Sequence, residues 1–67
     1  MTGRCAWFNN EKGYGFLEGA DGVDYFVHFS NILDSGYRSL REDDVVEFNV
    51  APGKHGKMQA LEVVVLG

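Results

Sequence analysis

Residues 12–29 read Lys12-Gly13-Tyr14-Gly15-Phe16-Leu17-Glu18-Gly19-Ala20-Asp21-Gly22-Val23-Asp24-Tyr25-Phe26-Val27-His28-Phe29, and this stretch decides the architecture. Two short runs rich in aromatic and β-branched residues, Tyr14–Glu18 and Asp24–Phe29, lie on either side of Asp21-Gly22. Such runs favour strands, and an Asp-Gly pair can supply the positive φ angles of a tight hairpin turn. The two strands are expected to be antiparallel neighbours.

The same signals, punctuated by Gly, Asn and Asp, place three further strands at Arg4–Asn9, Asp44–Ala51 and Lys57–Val65. Ser30–Asp34 has room for one helical turn, and the polar stretch Asp34–Asp44 is a connection of the length that carries function on small barrels. No segment remains for a helix long enough to cover a sheet. Five short strands without a covering helix bury their apolar side by curling the sheet on itself, which also removes its open edges. The expected fold is all-β, a five-stranded antiparallel barrel. At 67 residues the chain forms one domain, residues 1–67, since a chain this short buries only about 60% of the surface its unfolded form exposes.

Period-2 alternation sorts the side chains into two faces. Tyr14, Phe16 and Glu18 share one side of the second strand, as Asp24, Phe26 and His28 share one side of the third. With Leu17 and Val27 turned inward, the core is expected to continue through Val46, Phe48 and Val50 and through Leu61, Val63 and Val65. Tyr14, Phe16, Phe26 and His28 are then left outside on adjacent strands. An exposed aromatic patch of that kind marks an interaction surface. Trp7 and Phe8 are consecutive, so both can reach the patch only through a bulge or a strand end, and Phe29 raises the same difficulty.

Aromatic rings on a sheet suit single-stranded nucleic acid, because every unpaired base offers a π-face, worth about 1–3 kcal/mol per stacked base. Lys12, Arg38, Lys54, His55 and Lys57 fall in expected loops or at strand ends, within reach of phosphates crossing the sheet. The formal net charge is -4, which argues against the broad basic surface of a duplex-DNA binder and leaves stacking as the main attraction. A rival of another class is a protein-interaction or self-association module that uses the same patch.

Other chemistries find little support. The one cysteine, Cys5, has no disulfide partner, and no Cys/His cluster has the spacing of a metal site. Cys5, His28 and Asp24 are the parts of a nucleophilic triad, yet Cys5 sits among apolar neighbours and is read as a small buried hydrophobe, so no enzyme is expected. Gly53-Lys54-His55-Gly56-Lys57 lacks the full phosphate-loop spacing, and Met58 stands where that motif needs Ser or Thr. No apolar run approaches the roughly 18 residues of a membrane span and no signal peptide is evident, so a cytoplasmic protein is expected, without cofactor, metal or small-molecule substrate.

Lys12-Gly13-Tyr14-Gly15-Phe16 and Phe26-Val27-His28-Phe29, preceded by Trp7-Phe8-Asn9, resemble the nucleic-acid-binding motifs of the bacterial cold-shock proteins. The first motif alone is shared with RNA-recognition motifs, but that larger fold needs helices this chain lacks. The resemblance runs from Gly3 to Val63. It implies a barrel of the oligonucleotide-binding class and an RNA chaperone that binds single-stranded RNA or DNA and keeps transcripts unfolded in the cold, with roles in gene regulation. It implies Trp7, Phe8, Tyr14, Phe16, Phe26, His28, Phe29 and Tyr37 as the stacking surface, with Lys12 and Asp24 as polar contacts. Ala6 stands where family members often have lysine, and His55-Gly56-Lys57-Met58 where they have an Arg-Gly-Pro turn. A monomer is expected, with a strand-swapped dimer as the other state open to it.

Overall fold

A computed structural model describes residues 1–33, 39–53 and 56–67. Its strands are β1 (Thr2–Asn9), β2 (Tyr14–Gly19), β3 (Asp24–His28), β4 (Val45–Pro52) and β5 (Met58–Val65), with a 3-10 turn at Phe29–Asn31 directly after β3. They close into a barrel in the order β1-β2-β3-β5-β4. The expected strands are all present, each within two residues of its predicted ends. One seam departs from an all-antiparallel barrel: β3 and β5 run parallel, paired at Phe26 and Gln59, with an isolated bridge from Ile32 to Val63 beyond.

The β2–β3 hairpin forms as the sequence predicts, but only half of the Asp-Gly pair takes a positive φ. Gly22 does so, at 80°, while Asp21 serves through its side chain. The Gly22 N–H donates to Gly19 O at 2.9 Å, the Val23 N–H to Asp21 Oδ1 at 3.1 Å and the Tyr25 hydroxyl to Asp21 Oδ2 at 2.5 Å. Donation from Tyr25, then from the Val23 N–H, holds the Asp21 carboxyl below its usual range, and the same bond raises the Tyr25 phenol. Tyr25 can therefore bury its ring in the core against Phe48, centroids 5.3 Å apart, with its hydroxyl satisfied.

Leu17, Val27, Val46, Phe48 and Val63 are buried as alternation requires. Three expected core residues are not: Val50 and Val65 are exposed and Leu61 is half-buried. For Leu61 the reason lies in β5, where the register with β4 slips by one between the pairs Glu47–Val64 and Asn49–Leu61, whereas Val65 keeps the inward parity opposite Val46 but is the last residue of the strand. Glu62 sits in this bulge at φ 52°, so the inward positions become Ala60 and Val63, three apart rather than two. Val50 keeps the parity of Val46 and Phe48 and pairs with Ala60, but it stands near the open end of β4. Cys5, Tyr25, Ile32 and Leu40 complete the core.

Candidate nucleic-acid interface

A second bulge builds the face opposite the core. Cys5 is inward and pairs with Leu17, so strict alternation would turn Trp7 inward as well. Between Cys5 and Trp7 the β1–β2 register shifts by one, leaving Ala6 as the extra residue, and Trp7 comes to lie opposite Phe16 on the outer face. Phe8 then pairs with Gly15 and packs half-buried against the core. The structure thus brings Trp7 to the patch and leaves Phe8 beneath it.

On that outer face the rings are contiguous. Trp7 meets Tyr14 edge-on with centroids 5.9 Å apart and leans on Phe16 at 5.7 Å. Phe26 approaches Tyr14 at 5.9 Å and Phe16 at 5.8 Å. The cross-strand pairs Phe16–Phe26 and Tyr14–His28 fix this arrangement, because directly opposed residues of an antiparallel pair share a face. Trp7 is 43% exposed, and Tyr14, Phe16, Phe26 and His28 are half-buried. Each ring is held by its neighbours at the edges, as a stacking platform requires.

Phe29 joins by leaving the strand. It opens the 3-10 turn, 42% exposed, with its ring 4.5 Å from His28. Its N–H donates to Gly13 O at 2.8 Å, and its ring lies so close over Gly13 that a β-carbon there would come within 2.6 Å of it. Gly13 also takes φ 77°, so both sterics and backbone require glycine at that position. The preceding loop is tied by Asn9 Oδ1, which accepts the N–H groups of Glu11 at 3.0 Å and Lys12 at 2.9 Å, and it holds Lys12 exposed at the entrance to β2.

His28 Nδ1 lies 2.8 Å from Ser30 Oγ and 3.3 Å from the Ser30 backbone nitrogen, which ties the ring to the turn that follows β3. Nε2 is the ring's other polar atom, set beside its π-surface.

Two open grooves flank Phe16. One, of about 840 Å³, lies between Phe16 and Phe26 on one side and Pro52, Gly53, Lys57, Met58 and Gln59 on the other. The second, of about 580 Å³, is formed by Ala6, Trp7, Phe16, Asp24, Lys57 and Met58 with Val23 and Gly56. Lys57 Nζ stands 5.9 Å from the Phe16 ring centroid, at the outer limit of a cation–π contact. Lys57 and Met58, at the start of β5, line both grooves, a position that strand assignment alone did not suggest for Met58.

Charge at the far end of the face is sorted by Arg4. Its guanidinium bonds Glu18 Oε1 at 2.9 Å and Asp43 Oδ1 at 2.8 Å, while Asp24, opposite Glu18, stays exposed in the second groove. Tyr37, Arg38, Lys54 and His55 lie outside the described residues. Cys5 is fully buried, and burial, with the nearby carboxylates of Asp44, Glu42 and Asp43, pushes its thiol up to about 11. Among the described residues no His, Cys, Asp and Glu gather as a metal site, and no helix is long and apolar enough to cross a membrane.

Comparison with known proteins places this geometry. The family model described as the 'Cold-shock' DNA-binding domain matches residues 1–66. The chain is 54% identical over 66 residues to the cold shock-like protein CspC of Bacillus cereus, covering 98% of this chain and 100% of that protein. It is 50% identical to the cold shock protein CspB of Geobacillus stearothermophilus, covering 98% of each. Among solved structures, Drosophila Unr CSD456 superposes with a TM-score of 0.73 at 30% identity, covering 98% of this chain and 26% of that one.

Proposed function

The chain belongs to the cold-shock domain family of nucleic-acid-binding proteins, and from that premise we propose that it holds single strands of RNA or DNA on its aromatic face and acts as an RNA chaperone in cold adaptation and gene regulation. The observation that carries this reading is the contiguous outer set Trp7, Tyr14, Phe16 and Phe26, extended by His28 and Phe29. Unpaired bases stack on these rings, and paired bases cannot, because the duplex hides the faces the rings need. A protein that captures bases only when they are unpaired shifts a transcript's equilibrium toward its open forms by mass action, without catalysis.

Lys12 and Lys57 border the path and attract phosphates, while the Asp24 carboxylate accepts hydrogen bonds from a base edge in the second groove. Tyr37 belongs to the proposed set on the family resemblance, and His55 on its place in an expected loop within reach of phosphates. Phe8 supports the face from below. No chemical step is assigned to the chain, since the Cys5 thiol is buried and poorly ionised. A cytoplasmic monomer acting on RNA and DNA is the setting this reading supplies.

Trp7 is the chain's one tryptophan and lies in the site, so its fluorescence reports occupancy. Titration with oligo-dT, oligo-U and a duplex of equal length is expected to show saturable quenching with the single strands and little with the duplex. Equal affinity for a hairpin and its unstructured counterpart would overturn the stacking model. Response to no nucleic acid, with concentration-dependent self-association instead, would favour a protein-binding face.

A further inference from the structure

Met58 opens β5 between the two grooves that flank Phe16, and it is 38% exposed. A thioether there is an apolar, polarisable surface well matched to a stacked base. The only other methionine, Met1, is 43% exposed, but it is tied by backbone bonds to Phe48, with its sulfur beside Gly19, and lines neither groove. The two methionines are thus similar in overall exposure and opposite in position. Cys5, the remaining sulfur, is fully buried with its thiol pushed up to about 11, which withholds the thiolate that would attack a peroxide.

We propose that Met58 is a redox modification site, at which a peroxide converts the thioether to the sulfoxide and releases single-stranded nucleic acid from the adjoining grooves. The inference rests on the binding reading above. The Met58 sulfur donates a lone pair to one peroxide oxygen. The O–O bond breaks, an S–O bond forms, and the other oxygen leaves as water after taking up the displaced proton. Sulfur is oxidised by two electrons and the peroxide reduced by two. Reduction by two thiols, which become a disulfide with loss of water, restores the thioether, so the change is reversible in a thiol-reducing compartment.

The sulfoxide is polar and a strong acceptor. A base stacked on Phe16 or Phe26 would cover it without offering a donor in the right place, and the desolvation cost falls on the complex while the free protein keeps its sulfoxide in water. Nucleic acid lying in the grooves that Met58 lines also covers the sulfur, so occupancy limits the access of peroxide to it. Met1 supplies the internal reference.

The experiment treats the full chain with hydrogen peroxide, with and without saturating oligo-dT, and follows each methionine by peptide mass. Oligo-dT is expected to slow sulfoxide formation at Met58 several-fold, by covering it, while leaving Met1, which lines neither groove, unchanged. Protein oxidised at both methionines should bind labelled oligo-dT about tenfold more weakly by anisotropy, and treatment with both methionine sulfoxide reductases, one for each sulfoxide epimer, should restore it. Met58→Leu, whatever its starting affinity, is expected to show the same affinity before and after peroxide. Untreated protein that ignores oligo-dT would remove the binding reading itself. Untreated protein that binds, with no protection of Met58 or with unchanged affinity after oxidation, would overturn this inference alone, as would a Met58→Leu variant still inactivated by peroxide.

Discussion

Phe16 and Phe26 oppose each other directly across β2 and β3, and their rings meet edge to face, 5.8 Å between centroids and 77° between planes. Each ring braces the other while both line the larger groove. Phe16→Ala and Phe26→Ala are each expected to weaken oligo-dT binding by about 1–3 kcal/mol. Folding should lose less, about 0.5–1.5 kcal/mol from the aromatic pair. The double variant should lose less stability than the sum, because the first truncation already ends the pair. Fluorescence titration and thermal melts check both quantities, and a stability loss larger than the binding loss would assign the rings to the core.

Val27 lies between the outer residues Phe26 and His28 on β3 and is fully buried. Val27→Ala is therefore the converse case. It should cost about 1–3 kcal/mol of stability, from lost apolar burial and the cavity left behind. Affinity measured well below its melting temperature should stay close to the parent's.

Ala6 is the bulged residue of β1 and lines the groove shared by Trp7, Asp24 and Lys57. With Lys12 and Lys57 as the cations bordering the face among the described residues, binding should depend weakly on salt. A slope of log affinity against log salt of about -1 to -2 is expected, since each phosphate neutralised on a single strand contributes about -0.7. Ala6→Lys should tighten binding at low salt and steepen the slope by about one such contact. Unchanged affinity at low salt would show that the ligand path misses the bulge.

The bond from Tyr25 to Asp21 predicts a pH dependence at both ends. The Asp21 carboxyl is lower in the folded chain than in the unfolded one, so its contribution is present above the unfolded value of about 3.9 and is lost as pH falls through the folded value. The Tyr25 phenol is raised by the same bond, so its contribution is complete below about pH 10 and is lost as pH rises through the folded value. Asp21→Asn should lower the urea midpoint at neutral pH and flatten its change in acid. An Asn variant that loses stability in acid as steeply as the parent would exclude this pair as a source.

Periodicity and turn chemistry made the five strands, the β2–β3 hairpin and most of the outer face legible, because each depends on neighbours within a few residues. The two bulges were not legible. A bulge is decided by how one strand seats on another, and neither Ala6 nor Glu62 carries a local signal for it; Glu62 even adopts a positive φ that its type disfavours. From these two slips follow the outward turn of Trp7, the half-burial of Phe8 and the replacement of Leu61 in the core by Ala60. The need for a bulge near Trp7 could be read from two adjacent aromatics, but not its place. Ile32 and Leu40 reach the core from outside the named strands, where alternation gives no guidance.

The parallel seam has a dynamic consequence. β2 and β3 share five register pairs, whereas β3 and β5 share one, and that one pair contains Phe26. The wall is thus thinnest where a stacking ring is mounted, and local opening should begin there, with backbone amides at this edge of β5 among the first strand amides to exchange their hydrogens with solvent. A strand of nucleic acid resting on Phe26 and reaching across the groove to Met58 and Gln59 would span the two sides of that seam. It would act as a clasp on the cylinder, slowing exchange along the edge it bridges.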